Sequence, residues 1–359
     1  MSFKNYLIFF FIKLVKLVQK KNVKGTNNNF LIVSTTALGD TLWATPSIRL
    51  LKEQQPQARI FMLTSKTGEQ VLRNNPYIFK IITLDKPLLG SLLKIYQILK
   101  NIYFNNILIF HTSQRPILPF CYLLHSDEIT ATPGINKGLD KLITKKASYG
   151  YEHEIIRRLK IAGIDFKNKN LRMEIFPNDQ AQLQADSFLK KHSISKKTIV
   201  GMHPGAKDKF KQWPVNNFIE LAGILKKTFD CDIVVTCGPN ERLLAEEITS
   251  SVPGSFYLDE NLSIHALGSL IQKFDLFITN DTGPMHLAFA TGTKTISLFT
   301  ATDANLCGPL AIDNAVVIQK EKTCSPCIRK KCFTPFCMLQ ISPREVASCA
   351  IKLLKGNTE

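Results

Sequence analysis

The amino-acid sequence predicts an α/β protein built from two doubly wound, parallel-sheet domains of Rossmann-like form. Three observations lead there. Short apolar runs such as FLIVS (30–34), RIFMLT (59–64) and NILIF (106–110) lack the polar alternation of a half-exposed strand. Buried parallel strands read this way because helices cover both of their faces. Between these runs lie stretches with helical apolar spacing, and strands alternating with helices predict a parallel sheet. The series is interrupted once, by a polar, lysine-rich stretch at 165–198, and then begins again.

In the first half the strands are expected at 30–34, 59–64, 81–84 and 106–110. A helix from Trp43 to about Glu53 carries Pro46 in its first turn, where a missing N–H has no cost. Further helices are expected at 67–74 and 89–100. The junction carries one helix, 178–192. The second series places strands at 198–202, 232–237, 256–258, 276–279 and 294–299. Pro214 opens a helix whose apolar face is Phe218, Leu221, Ala222, Leu225 and Phe229. Helices at 240–250, 264–273 and 284–291 follow. The last helix has Ser342 as N-cap, Pro343 at its first position and Gly356 just past its end. The expected organisation is a basic segment 1–28, an N-terminal domain 29–175, a C-terminal domain 195–342 and a terminal helix 343–356. Ligands in such sheets bind beyond the carboxyl ends of the strands. Two such domains facing each other make a cleft with one substrate on each.

Hydrophobic residues are 45% of the chain and charged residues 21%, a globular balance. The net charge of +17 suits an anionic partner: nucleic acid, anionic lipid or a phosphorylated glycolipid. A basic protein with no anionic partner is the plainer alternative. No nucleic-acid-binding signature is present, so nucleic acid is excluded as a partner. Residues 1–24 hold six lysines and no acid. Their longest apolar run, Tyr6 to Ile12, is far short of the roughly 20 residues that span a membrane. Aromatic and aliphatic residues mixed with lysines fit a helix lying in the membrane interface. The alternative is a helix packed on the domain. Cys121, Cys231, Cys237, Cys307 and Cys349 are scattered and read as small buried hydrophobes.

Three loops, each just after an expected strand, carry residues suited to chemistry. In Thr36-Ala37-Leu38-Gly39-Asp40-Thr41, Gly39 allows a tight turn. Asp40 is either a helix cap or a carboxylate facing the ligand. In His203-Pro204-Gly205-Ala206, running on through Lys209, Lys211, Trp213 and Pro214, backbone N–H groups ahead of a helix and two lysines suit a diphosphate. A solvated lysine-rich loop is the alternative. In Asn280-Asp281-Thr282-Gly283-Pro284, Asp281 either binds sugar hydroxyls or caps the helix. His286 follows one turn in and is either close to the ligand or a packing residue. No dinucleotide-binding or P-loop glycine pattern is present.

The three segments ALGDTLWATPSIRLLK (37–52), HPGAKDKFKQWP (203–214) and DLFITNDTGPMHLAFATGTKTISLF (275–299), in this order, resemble glycosyltransferase family 9, the lipopolysaccharide heptosyltransferases. The likeness runs from about Phe30 to Leu354. It implies the GT-B fold, two facing Rossmann-like domains, in agreement with the strand pattern. It implies that Asp40 is the general base on the acceptor hydroxyl, with Gly39 and Thr41 beside it at the acceptor. Lys211 then contacts the donor phosphates, with Lys209 near it. Gly205 and Ala206 lie near the nucleotide, and Asp281, Thr282 and Gly283 hold the nucleotide sugar, with His286 close by. Glu241, after Gly238-Pro239-Asn240, matches the position that binds ribose. The implied partners are a nucleotide-diphosphate sugar, a lipid-linked saccharide acceptor and an anionic membrane surface on the cytoplasmic side of the inner membrane. Heptose from an ADP donor is the default. No Asp-x-Asp motif for a metal-diphosphate clamp is read in the chain, so inverting, metal-independent transfer with no cofactor is expected.

Cys324, Cys327, Cys332 and Cys337, spaced C-x2-C-x4-C-x4-C, are a candidate structural zinc set. Free or redox-labile thiols are the alternative, and disulfides are disfavoured in the cytoplasm. Two other functional classes remain open on sequence: a nucleotide-sugar 2-epimerase of the same fold, and a non-catalytic nucleotide-sugar-binding protein that would not need Asp40. Arg115, Lys137, Lys141, Lys145 and Lys146 lie in a stretch, 111–150, that carries no readable motif.

Overall fold

The computed structural model describes residues 3–18, 28–112, 114–195, 197–310, 312–325, 327–328 and 332–356. The chain divides into two compact units, Met1–Met173 and Glu174–Glu359.

Unit 1 begins with α1 (Phe3–Val18) and continues β1 (Asn29–Ser34), α2 (Leu38–Leu42), α3 (Thr45–Gln54), β2 (Arg59–Ser65), α4 (Lys66–Leu72), β3 (Lys80–Leu84), α5 (Leu88–Leu99), β4 (Tyr103–His111), α6 (Ile117–Leu123), β5 (His125–Ala131), β6 (Lys145–Lys146) and α7 (Glu154–Ile161). Its sheet has the order β3-β2-β1-β4-β5-β6, with every pairing parallel. Leu31, Val33, Phe61, Leu63, Ile107 and Ile109 on its strands join Leu92, Ile95 and Leu99 of α5 and Ile117 and Leu118 of α6 in one core. Ser65 starts α4 by accepting the Gly68 N–H at 3.1 Å, and His153 starts α7 by accepting the Ile155 N–H at 3.1 Å.

The expected helix 43–53 is α3, and a further short helix, α2, precedes it, so Asp40 sits inside a helix rather than ahead of one. The stretch 111–150, without a predicted element, holds α6, β5 and β6. β5 escapes a reading by pattern because its sequence is HSDEITA and its amino half is only partly covered. α6 is seven residues long with Pro119 inside it.

The helix α1 packs on α6. Ile12 enters the core, Lys16 Nζ donates to Leu124 O at 2.6 Å, and Asn5 Nδ2 donates to Lys137 O at 2.9 Å. Its opposite edge exposes Tyr6, Leu7, Phe10, Phe11 and Leu14. The helix is therefore docked on the unit and still presents an apolar face. Lys20, Lys21 and Lys24, part of the same basic segment, lie outside the described residues. Among the described residues no helix is long and apolar enough to cross a membrane.

Unit 2 runs α8 (Asp179–Lys191), β7 (Thr198–His203), α9 (Val215–Thr228), β8 (Cys231–Val235), α10 (Arg242–Ser251), β9 (Ser255–Tyr257), α11 (Ile264–Gln272), β10 (Leu276–Asn280), α12 (Gly283–Thr291), β11 (Thr295–Phe299), α13 (Ala304–Cys307), β12 (Ala315–Gln319), α14 (Phe336–Leu339) and α15 (Pro343–Lys355). The order β12-β11-β10-β7-β8-β9 is again fully parallel. The predicted face of α9 packs into the core with Val200, Ile233, Leu276 and Ile296 from the strands and Val346, Ala347 and Ala350 from α15. Ser342 caps α15 by accepting the Glu345 N–H at 3.2 Å.

At Gly201, in the middle of β7, an added Cβ would lie 2.2 Å from the ring of Phe274, which stacks on Phe277 at 6.0 Å. The two rings are fully packed, so neither can yield. Gly201→Ala is expected to destabilise unit 2 by about 1–3 kcal/mol, the usual cost of overpacking a core. Thermal unfolding of the variant beside the wild type measures this, and an unchanged midpoint would contradict it.

Candidate functional site

Both sheets reverse their winding beside their first strand. In unit 1 the reversal lies between β1 and β4, and in unit 2 between β7 and β10. A doubly wound sheet opens a crevice at such a point, outside the carboxyl ends of the two strands. All three loops singled out in the sequence lie at these points: residues 35–40 after β1, 203–206 after β7 and 280–283 after β10.

In unit 1 the crevice is closed from below by polar contacts between the loops after β1 and β4. The Thr35 N–H donates to His111 O at 3.1 Å, and Thr35 Oγ1 donates to Gln114 Oε1 at 2.7 Å. Asp40 stands in the first turns of α2. Its Oδ2 accepts the Ala37 N–H at 3.3 Å, the capping role that Asp has near a helix start. Its Oδ1 lies 3.6 Å from Nη2 of Arg158, so capping leaves the second oxygen turned towards a cation. Thr41 is fully buried, and its hydroxyl donates to Ala37 O at 3.0 Å. Gly39 is buried in the same turn. These two shape the turn that carries Asp40.

Arg158 was not visible as a site residue in the sequence. It is fully buried, donates from Nη1 to Glu154 Oε2 at 2.6 Å, and its guanidinium carbon lies 5.2 Å from the Trp43 ring centroid. Burial pushes its pKa down, opposed by Glu154 and then Asp40. His111, at the end of β4, lies within the field of the same groups. Burial pushes its pKa down, and Asp40 is the chief opposing influence. The spacing of Glu154 and Arg158 is a legible helical i,i+4 pair. Nothing in the linear pattern puts that pair beside Asp40.

In unit 2 the structure brings Lys211, Asp281, Gly205, Ala206 and Glu241 together. Lys211 sits on a 3-10 turn, and its Nζ donates to Asp281 Oδ2 at 2.5 Å. The carboxylate is nearly buried and the lysine is about one-fifth exposed. Sequence reasoning treated these two as separate donor contacts, and the fold makes them an ion pair. Ala206 is buried, and its carbonyl accepts from Gln212 Nε2 at 2.8 Å. Glu241 Oε2 accepts the Gly238 N–H at 2.8 Å and lies 3.6 Å from His203 Nε2. Burial pushes the His203 pKa down, with Glu241 opposing. A Cβ at Gly205 would fall 2.1 Å from the Glu241 carboxyl group, so a larger residue there would make that side chain shift.

Thr282 stands at the N-cap of α12, its hydroxyl 3.3 Å from that of Thr279, and Gly283 is the first residue of the helix. His286 is buried in α12, edge-on to Phe289 at 6.1 Å, a packing position. Lys209 is exposed.

Asn280 joins the two loops of this crevice. It is fully buried at the end of β10. Its Nδ2 donates to Pro204 O at 2.8 Å and Gly205 O at 3.2 Å, and its Oδ1 accepts the Trp213 N–H at 3.1 Å. The Trp213 indole is buried as well and donates to Ile341 O at 2.9 Å. Asn280 thus holds the 203–206 loop and the turn bearing Lys211 against the strand that leads into Asp281.

Among the described residues, the four C-terminal cysteines are not gathered into a metal site, and no three His, Cys, Asp or Glu side chains converge on a point where a metal can bind. Cys337 is buried in α14 next to the core residue Met338, while Cys324, Cys327 and Cys332 are half-buried on the segment before it. Burial pushes the Cys337 thiol up, with smaller contributions from Cys327 and Cys332. The one Asp-x-Asp triplet in the chain, Asp230-Cys231-Asp232, lies at the amino end of β8, where Asp232 accepts the Ser195 N–H at 3.0 Å. That is the opposite end of the sheet from the crevice.

Residues 149–336 match the model of glycosyltransferase family 9 (heptosyltransferase). The chain is 25% identical over 329 residues to lipooligosaccharide heptosyltransferase 2 of Campylobacter jejuni, covering 90% of this chain and 97% of that one. It is 29% identical over 286 residues to lipopolysaccharide heptosyltransferase 3 of Escherichia coli K12, covering 74% and 80%. The solved ADP-heptose lps heptosyltransferase II of E. coli superposes with a TM-score of 0.73 at 17% identity, over 91% of this chain and 98% of that one. At that identity the superposition speaks for the fold, which is GT-B with two Rossmann-like domains.

Replacing Asn280 by alanine leaves the Trp213 N–H buried without an acceptor. Asn280→Ala is expected to lose about 1–3 kcal/mol of stability, the usual cost of one unsatisfied buried group. Chemical denaturation of the variant measures the loss, and wild-type stability would show that Asn280 is not the tie described here.

Proposed function

The chain belongs to glycosyltransferase family 9, and we propose that it transfers a heptose from ADP-heptose to a lipopolysaccharide core or lipid A-linked acceptor, with inversion and without a metal ion. The observation that carries this reading is the placement of complementary groups at the two switch points. Unit 1 presents a carboxylate, Asp40, and unit 2 presents a lysine–aspartate pair at the start of a nine-residue helix.

Asp40 takes the proton of the acceptor hydroxyl as its oxygen attacks the sugar C1. The bond from C1 to the diphosphate breaks on the opposite face, and the configuration at C1 inverts. General-base assistance of this kind contributes roughly 10²–10⁴-fold. The departing diphosphate carries the charge that develops, and Lys211 and the N-terminus of α12 answer it. They supply locally what a divalent cation supplies in metal-dependent transferases, which favours metal independence. Asp281 keeps Lys211 in place and, with Thr282 and Gly283, lines the sugar side. Glu241 is set to accept ribose hydroxyls near Gly205 and Ala206, and Lys209 adds mobile charge at the rim. The donor is taken as ADP-heptose because the superposed E. coli enzyme is named for it. A 2-epimerase would need no acceptor base, and family membership does not favour it.

A lipid-linked acceptor requires work at a membrane surface. The exposed edge of α1, with Tyr6, Leu7, Phe10, Phe11 and Leu14, suits the interface of an anionic bilayer on the cytoplasmic side. The helix contains lysine and no acidic residue.

Two experiments test these readings. Purified protein is incubated with ADP-heptose and Kdo-lipid A in EDTA, and ADP release is followed beside lipid mass. The lipid is expected to gain one heptose, and Asp40→Asn to slow the reaction by about 10²–10⁴-fold. Full activity of Asp40→Asn would reduce Asp40 to a helix cap, and a requirement for added metal would overturn metal independence. In the second, the protein is expected to float with phosphatidylglycerol vesicles and not with phosphatidylcholine ones, and a Phe10→Ser, Phe11→Ser double variant to stay behind. Equal flotation of that variant would remove α1 from the membrane contact.

A further inference from the structure

The geometry points to Arg158, clamped by Glu154, as the positioning residue that orients the Asp40 carboxylate for proton transfer. The inference rests on the reading of Asp40 as the base.

Arg158 is fully buried, and its charge is met in an unequal way. Nη1 is bonded to Glu154, through both the carboxylate at 2.6 Å and the backbone carbonyl at 2.9 Å. Those contacts lie within one turn of α7 and would satisfy a purely structural arginine. Nη2 and Nε are nevertheless buried without a hydrogen-bond partner. Nη2 is the atom that lies 3.6 Å from Asp40 Oδ1. A guanidinium is planar and rigid, so fixing one nitrogen fixes the direction of the others. Trp43 lies against the guanidinium from α2's C-cap, three residues beyond Asp40, and so blocks it from turning away.

The surrounding charges balance only when Asp40 is counted. Arg157 also donates to the Glu154 carboxylate. Two arginines therefore share one glutamate, and the Asp40 carboxylate supplies the second negative charge. His111 faces the same cluster with a buried, unbonded Nδ1 and, with its pKa pushed down by burial, adds no charge at neutral pH. Asp40 is thus held on two sides: by the Ala37 N–H on Oδ2 and by Arg158 beside Oδ1. A carboxylate held this way keeps one rotamer, and misplacement of a reacting group by about 1 Å can cost on the order of 10²-fold in rate.

The test uses the full-length chain with ADP-heptose and Kdo-lipid A. Arg158→Met is expected to lower kcat by about 10–100-fold with KM for donor and acceptor unchanged, because a positioning residue touches neither substrate. Arg158→Lys, which keeps the charge but not the fork, is expected to recover part of kcat. Circular dichroism and thermal unfolding report whether each variant folds. Should Arg158→Met fail to fold, Glu154→Gln is measured instead. It keeps the arginine, loosens the clamp and is expected to lower kcat in the same direction. A folded Arg158→Met or Glu154→Gln with wild-type kcat overturns the positioning role while the base reading stands. A raised acceptor KM with unchanged kcat also overturns it, by making Arg158 an acceptor contact. Asp40→Asn run in parallel reports on the base alone. If it is fully active, the base reading fails and the role of Arg158 falls with it.

Discussion

The handedness of the βαβ crossover is the constraint on which the rest of this structure depends. A strand, a helix and a parallel strand connect almost only in the right-handed sense. A sheet that grows first to one side of its opening strand and then to the other must send its connections to opposite faces. The loops part where the direction changes, and a crevice opens there. Both units obey this rule with the same strand order, β3-β2-β1-β4-β5-β6 and its counterpart β9-β8-β7-β10-β11-β12. The crevice is therefore a consequence of topology, and the candidate site residues occupy loops that topology had already brought together.

The two crevices answer one physical problem in different ways. Polar groups at the base of a crevice lose water and need partners. In unit 2 the answer is largely neutral: the Asn280 amide divides its bonds among Pro204, Gly205 and Trp213. The charged pair Lys211–Asp281 sits above it, close enough to solvent for the lysine to remain accessible. In unit 1 the answer is ionic, with Arg157 and Arg158 set against Glu154 and Asp40. Buried ion pairs seldom add net stability, because desolvation offsets the attraction. A cluster of this kind next to the carboxylate proposed as the base is better explained by orientation than by folding energy.

The helix α1 is docked on unit 1 and still exposes an apolar face. Ile12 and the bonds of Asn5 and Lys16 fix one face to unit 1, while aromatic and aliphatic residues occupy the other. Because α1 belongs to the same unit as Asp40, a membrane contact through that helix would also orient that unit. The C-terminal cysteines show the opposite outcome. Their spacing suggested a shared ligand set, and among the described residues they are not gathered into one.

The sequence by itself determined the fold class, the two-part organisation and the loops that matter. Apolar runs of strand length and helical periodicity are local signals, and buried parallel strands express them strongly, as FLIVS and DIVVTC do. Glycine, proline and acidic residues mark turns and helix starts just as locally, which is why Asp40, Gly205 and Asp281 could be named. The strand β5 was missed because its partly exposed amino half, HSDE, dilutes the apolar pattern. Only the tertiary structure decided which residues meet. The pairing of Lys211 with Asp281, the packing of Glu241 against Gly205, and the approach of Arg158 to Asp40 join positions far apart in the chain. Periodicity carries information about which face a residue occupies, and none about its partner across a crevice. That choice belongs to the strand order, which no single segment encodes.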